Sequence, residues 1–195
     1  MIEESQNCFE KFLQGHDLRP DLRGAVYAVI ARYGRSTELE KLIQLYRNSP
    51  LQEEKVRVLR ALTRFQDPVA IKRVLKFALS SDVRYQDTYI ILGGFGSNAA
   101  ARRSAWDFNQ SNFKILRGRY EGGSVSMLGH ILEGSVCSFN HAADLKEVKN
   151  FLKKNPVPGI ERTMKQSIEM IRSNIRWGRF GSKDAALWLA RHKSS

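Results

Sequence analysis

Apolar residues return every three or four positions along nearly the whole chain, which predicts amphipathic helices rather than strands. Pro20-Asp21 opens a segment whose Leu22, Val26, Val29, Ile30 and Tyr33 share a face, and Gly34 ends it. Thr37 is a good N-cap, with Glu40 three residues on as capping-box partner, and Leu39, Leu42, Ile43 and Tyr46 then form one face. Ser49-Pro50 opens the next helix, with Val56, Leu59, Leu62 and Phe65 inward. Asp67-Pro68 repeats the device, a cap followed by proline at the first helical position, ahead of Val69, Ile71, Val74, Leu75, Ala78 and Leu79.

The pattern continues in the second half. Helices are expected over 124–139 and 142–154, then a rigid connector at Asn155-Pro156-Val157-Pro158-Gly159 whose prolines cannot continue a helix. A long helix over 160–177 carries Met164, Ile168, Ile171 and Ile175, and a short separate one over 183–191 packs Leu187, Trp188 and Leu189. Helix pairs near 20–48, 51–80 and 84–118 recur at roughly 30–35 residues, a period that suits a HEAT- or armadillo-like solenoid. The expectation is therefore an all-α superhelix of antiparallel helix pairs, forming one domain over 1–195 with no internal boundary.

Composition narrows the setting. The 195 residues suffice for a substantial core, and no apolar run approaches the ~18 residues of a membrane span. Met1-Ile2-Glu3-Glu4-Ser5-Gln6 is acidic and polar, unlike a secretory leader, and Cys8 and Cys137 have no metal-ligand spacing. These features predict a reducing, cytoplasmic setting, or a piece of a longer protein. The net charge of +12 favours anionic partners in general: nucleic acid, acidic peptide or a membrane surface. Its distribution favours solvated helix faces instead, with Arg57, Arg60 and Arg64 on one face, Lys72, Arg73 and Lys76 on the next helix, and no block of five like charges.

Candidate chemistry is sparse. None of His16, His130, His141 and His192 begins a Glu-x-x-His pattern that would set two imidazoles on one helix face, and no G-x-S-x-G occurs. His130 and Glu133 stand one turn apart, as a solvated or capping pair does. Gly93-Gly94-Phe95-Gly96 lacks the lysine of a phosphate loop and reads as a helix terminus and turn. No catalytic or metal-ligating residue emerges from the chain's own pattern.

Three ordered motifs carry a resemblance. Val83-Arg84-Tyr85-Gln86-Asp87, Ala105-Trp106-Asp107-Phe108 and Arg119-Tyr120-Glu121-Gly122-Gly123 resemble elements of the C-terminal helical domain of the aminopeptidase N family of zinc enzymes, of the puromycin-sensitive and tricorn-interacting-factor type. Pro158 to Gln166 and Asn174-Ile175-Arg176-Trp177 resemble its closing segments, so the likeness runs from about Asp21 to Trp177. The family's H-E-x-x-H and G-x-M-E-N motifs are absent here. The resemblance implies a domain that holds no cofactor of its own and closes over a separate zinc-bearing catalytic domain, with peptides as the other partner.

It also assigns residues. Arg84, Gln86 and Asp87 have two readings: they fix the angle between helix pairs, or Arg84 and Gln86 face the peptide cavity. Trp106 and Phe108 read as packing, with Arg119, Tyr120 and Trp177 as structural motif positions, and Gly122-Gly123 as a helix end that lets backbones approach closely. Ala61-Leu62-Thr63-Arg64 resembles a segment whose arginine binds a peptide's terminal carboxylate, for which a planar guanidinium is suited; an ordinary surface arginine is the other reading of Arg64.

Overall fold

The computed structural model describes residues 1–192, and every regular element among them is helical. The α-helices are α1 (Ile2–Leu13), α2 (Pro20–Tyr33), α3 (Ser36–Asn48), α4 (Gln52–Leu62), α5 (Pro68–Ala78), α6 (Thr88–Leu92), α7 (Arg102–Ser111), α8 (Phe113–Tyr120), α9 (Val125–Val136), α10 (Ala142–Lys154) and α11 (Glu161–His192), with short 3-10 turns at Tyr85–Asp87 and Gly94–Ser97. They stack as a two-layer superhelix. One layer holds α1, α3, α5, α7–α8 and α10; in the other α2, α4, α6, α9 and α11 pack successively on one another. One apolar core runs between the layers from Phe9 to Ile171.

The pairing register differs from the expected one. The close sequence neighbours are α1–α2, α3–α4, α5–α6, α8–α9 and α10–α11, whereas α4 and α5 barely touch. Pairs begin at Ile2, Ser36, Pro68, Arg102 and Ala142, so the expected period holds through the first four while its frame moves by one helix. All the connections are short, so loop length cannot tell which neighbour a helix packs on.

Local chemistry explains two of the helix starts. Asp67 accepts a hydrogen bond from the Ala70 amide at 2.9 Å, and Pro68 occupies the first turn, as expected. At α3 the cap lies elsewhere than predicted: the helix begins at Ser36, and Glu38, not Glu40, reaches back to the Arg35 amide at 2.8 Å. The expected break before residue 183 is absent. Gly178 and Gly181 lie inside α11, and a glycine costs a helix about 1 kcal/mol without removing a donor as proline does. Leu187, Trp188 and Leu189 are exposed rather than packed, and Val69, Leu22 and Tyr33 also face solvent.

Close backbone approach occurs where α6 meets α9. A Cβ built on Gly96 would stand 1.7 Å from the Gly134 carbonyl oxygen, and one on Gly134 would stand 2.8 Å from Gly93. At Gly122 and Gly123 nothing lies within 4 Å of such a Cβ. That pair ends a helix, with Gly123 at φ +150°, but brings no backbones together. Between α7 and α10, Trp106 is buried edge-on against Phe139 and Phe151 and donates its Nε1 proton to Glu147 at 3.0 Å. Glu147 also accepts from Arg103 at 2.6 Å and from Gln110 at 2.8 Å. The Arg103 hydrogen bond is the largest cause holding the Glu147 carboxyl down to about 2, against the opposing effect of partial burial.

Two outcomes follow. Gly96→Ala should destabilise the chain by roughly 1–3 kcal/mol through overpacking, while Gly122→Ala leaves the thermal midpoint within a degree or so of the parent; calorimetry checks both. A depressed carboxylate contributes stability above its unfolded pKa and loses it as pH falls through its folded value. Wild type should therefore lose stability between about pH 4.5 and pH 2, and Glu147→Gln should show a shallower loss there. At pH 7 the variant should be less stable by on the order of 1 kcal/mol, since the side chain is 34% exposed and its ion pair is screened. Denaturant titrations across that pH range read both effects.

Candidate functional site

The free face of the layer formed by α2, α4, α6, α9 and α11 carries two grooves in line. The first, about 560 Å³, lies between α2 and α4; Gly24, Ala28, Val56, Arg57, Arg60 and Arg64 line it, together with Glu53, which pairs with Arg57. The second, about 680 Å³, lies between α6, α9 and α11, with Tyr89, Ile90, Met127, His130, Glu133 and Met170 in its walls. Arg60 lines both. The spacing of Arg57, Arg60 and Arg64 puts all three guanidinium stems on one side of α4, and small residues on α2, Gly24 and Ala28, leave the room opposite them.

The three arginines differ in their surroundings. Arg57 is committed: it pairs with Glu53 at 2.7 Å and with Glu54. Glu54 is buried, and also accepts from the Tyr27 hydroxyl at 2.6 Å and Arg23 at 3.2 Å, so charge on both sides is balanced where desolvation makes it costly. Burial, then the hydrogen bond to Glu54, raises the Tyr27 pKa, keeping the phenol a donor. Arg60 and Arg64 are exposed and have no carboxylate partner among the described residues. They leave positive charge in the groove with its donors free.

The turn after α4 that carries Arg64 is anchored. Asn98 donates to the Thr63 and Phe65 carbonyls at 2.9 and 2.7 Å, satisfying groups that a helix end leaves unpaired. Asn174 does the same for α9, donating to the Cys137 and Phe139 carbonyls at 2.9 and 3.0 Å. In each case an asparagine from the next layer position holds the C-terminal end of a groove helix.

The remaining motif residues lie around the α5–α6 junction. Asp87 is buried and accepts from Arg84 Nε at 2.8 Å and from Gln52 at 2.9 Å, linking the start of α6 to the start of α4. Arg119 donates to Thr88 Oγ1 at 3.2 Å and to the Leu79 carbonyl at 2.7 Å, while the Tyr120 hydroxyl donates to the Tyr85 carbonyl. Burial raises the Tyr120 pKa. Together these contacts lock α4, α5, α6 and α8 to one another. Arg84 is bound into this lock, and Gln86 is exposed beside it; neither lines the grooves. Phe108 is half-buried on the opposite layer, between α5 and α7, and Trp177 is exposed.

Arg64 is thus the one candidate substrate residue from the sequence that lies in a groove. Arg60 and the apolar wall of the second groove were not singled out as site residues. Their signals were present, the i, i+4 spacing of Arg60 to Arg64 and the small residues Gly93, Gly94 and Gly134 on facing helices. His130 lies 3.7 Å from Glu133, both solvent-accessible, as the one-turn spacing suggested. Among the described residues no group of three or more His, Cys, Asp or Glu side chains could hold a metal ion, and no helix is long and apolar enough to cross a membrane.

Comparison with known proteins agrees with this architecture. The ERAP1-like C-terminal domain family matches residues 1–173, reaching further toward the N-terminus than the motif resemblance does. Aminopeptidase M1 of Arabidopsis thaliana is 32% identical over 182 residues, covering 90% of this chain and 20% of the relative. Alanine/arginine aminopeptidase of Saccharomyces cerevisiae is 28% identical over 95% of this chain and 22% of its own length, and aminopeptidase N of Mus musculus is 29% identical over 100% and 20% respectively. The chain therefore spans about a fifth of the length of the relatives it matches. With an all-helical fold and a family match over most of its length, the chain belongs to the ERAP1-like C-terminal domain family, the C-terminal domain of aminopeptidase N-family enzymes.

Proposed function

We propose that this chain acts as the non-catalytic C-terminal domain of a zinc metallo-aminopeptidase. It closes over the catalytic domain and forms the wall of a chamber that holds the far end of a peptide while its N-terminus is trimmed. The observation that carries this reading is the pair of grooves bridged by Arg60, with Arg60 and Arg64 free of carboxylate partners among the described residues. A guanidinium can donate two parallel hydrogen bonds to a terminal carboxylate, and the apolar wall of Tyr89, Ile90, Met127 and Met170 suits the side chains that precede it. The names of the relatives support the parent activity. Among the described residues no group of three or more His, Cys, Asp or Glu side chains could hold a metal ion; in this reading the zinc sits in the catalytic part, and this domain contributes binding, orientation and exclusion of water on closure.

The competing reading, a basic module for nucleic acid, is disfavoured by pairing. Arg23, Arg47, Arg57, Arg73, Arg84 and Arg103 are engaged with carboxylates, which breaks the positive charge into local pairs. HEAT-like repetition and a cytoplasmic site of action are part of the proposal.

Fluorescence anisotropy with a labelled peptide of roughly ten residues tests the reading: amidating its C-terminus should weaken binding about tenfold, and Arg64→Ala should weaken the free acid similarly while sparing the amide. The purified chain should turn over no alanyl or leucyl anilide in the presence of zinc. Equal affinity for acid and amide, or genuine turnover by the chain alone, contradicts the proposal.

A further inference from the structure

The last half of α11 leaves the body of the domain. Its first half is anchored by Met164, Ser167 and Ile171, but from residue 176 to 192 the helix is exposed on almost every side over roughly 25 Å. This stretch is not polar. At about 100° per residue, Trp177, Phe180, Leu187 and Trp188 fall in one stripe, begun by Met170 and turned well away from the anchored face. Trp177 is 76% exposed, Phe180 63% and Trp188 58%. Arg172, Arg176, Arg179 and Lys183, at i, i+4, i+7 and i+11, form a basic ridge along one edge of the stripe.

We infer that the distal half of α11 is a docking helix, and that its partner is an apolar surface with an acidic rim on the catalytic part of the same aminopeptidase; this rests on the function proposed above. Four-fifths of the length of the matched relatives lies outside the matched region, so a large polypeptide partner is available. The basic ridge selects for acids on that partner. A second copy fits poorly: an antiparallel two-fold contact would set ridge against ridge, and a parallel one would lay the ridge on the opposite edge of the stripe, at Gly178, Gly181 and Ala185, which offers it no acid. A bilayer fits poorly as well: Asp184 lies within the stripe, and Leu189 is exposed on a different side of the helix, where lipid beneath the stripe would not reach it. A protein groove can meet both.

The test is a chimera of Arabidopsis aminopeptidase M1 in which its matching C-terminal fifth is exchanged for this chain, with and without the triple change Trp177→Ser, Phe180→Ser and Trp188→Ser. The parent chimera should be compact by small-angle scattering, active on peptides, and resistant to protease between residues 176 and 192. The triple variant should be cleaved there about tenfold faster and should expand, and Arg176→Glu with Arg179→Glu should act in the same direction. In the isolated chain the same triple change should leave the thermal midpoint unaltered, which separates docking from folding. A variant chimera as compact and resistant as its parent overturns the docking helix while leaving the proposed function standing. An inactive, expanded parent chimera overturns both, and self-association of the isolated chain that the triple change abolishes assigns the stripe to a second copy and overturns the inference.

Discussion

No helix pair in this chain can bury its own apolar stripe, and the fold depends on that constraint. Each pair gains a dry interior only when the next stacks on it, so the core is a continuous band from Phe9 to Ile171 rather than a set of local clusters. Stacking at the centre requires α6 and α9 to approach until only glycine fits at 96 and 134. The close approach brings α9 and α6 into one layer with α4, and the same layer then presents Arg60 and Arg64 beside an apolar wall.

Polar contacts set the angles that apolar packing leaves loose. Buried Asp87 ties α6 to α4, Arg119 and Tyr120 tie α8 to the α5–α6 junction, and Asn98 and Asn174 clamp the ends of α4 and α9. Each of these groups satisfies backbone or side-chain atoms that burial would otherwise leave unpaired, so losing one costs more than the bond itself. The groove inherits its geometry from this frame. Its electrostatics follow from unequal pairing along α4: Glu54 neutralises Arg57 from beneath, and Arg60 and Arg64 remain available.

The helical periodicity made the fold class legible, and Asp67-Pro68 marked a boundary to the residue. The pairing frame was not legible, because the connections around α3, α4 and α5 are all short, between two and six residues, and allow either neighbour. The continuity of α11 was hidden by Gly178 and Gly181, which lower helix propensity without forbidding it, and Trp188 read as core because apolar residues near a helix end ordinarily pack. At the site, Arg64 was visible through a motif. Arg60 was visible only as one charge on a basic face, since its value depends on Gly24 and Ala28 across the groove and on its making no ion pair among the described residues, and both are facts of three-dimensional arrangement.

The central claim is that the α2–α4–α6–α9–α11 face receives the far end of a peptide. Photo-crosslinking from a benzophenone placed at the last residue of a bound peptide, read by mass spectrometry, tests it most directly. The account predicts adducts on α2 and α4 around Ala28, Val56 and Arg64, extending to Met127 or Met170 as the label is moved toward the N-terminus. Adducts confined to α3, α5, α7 and α10 on the opposite layer would contradict it.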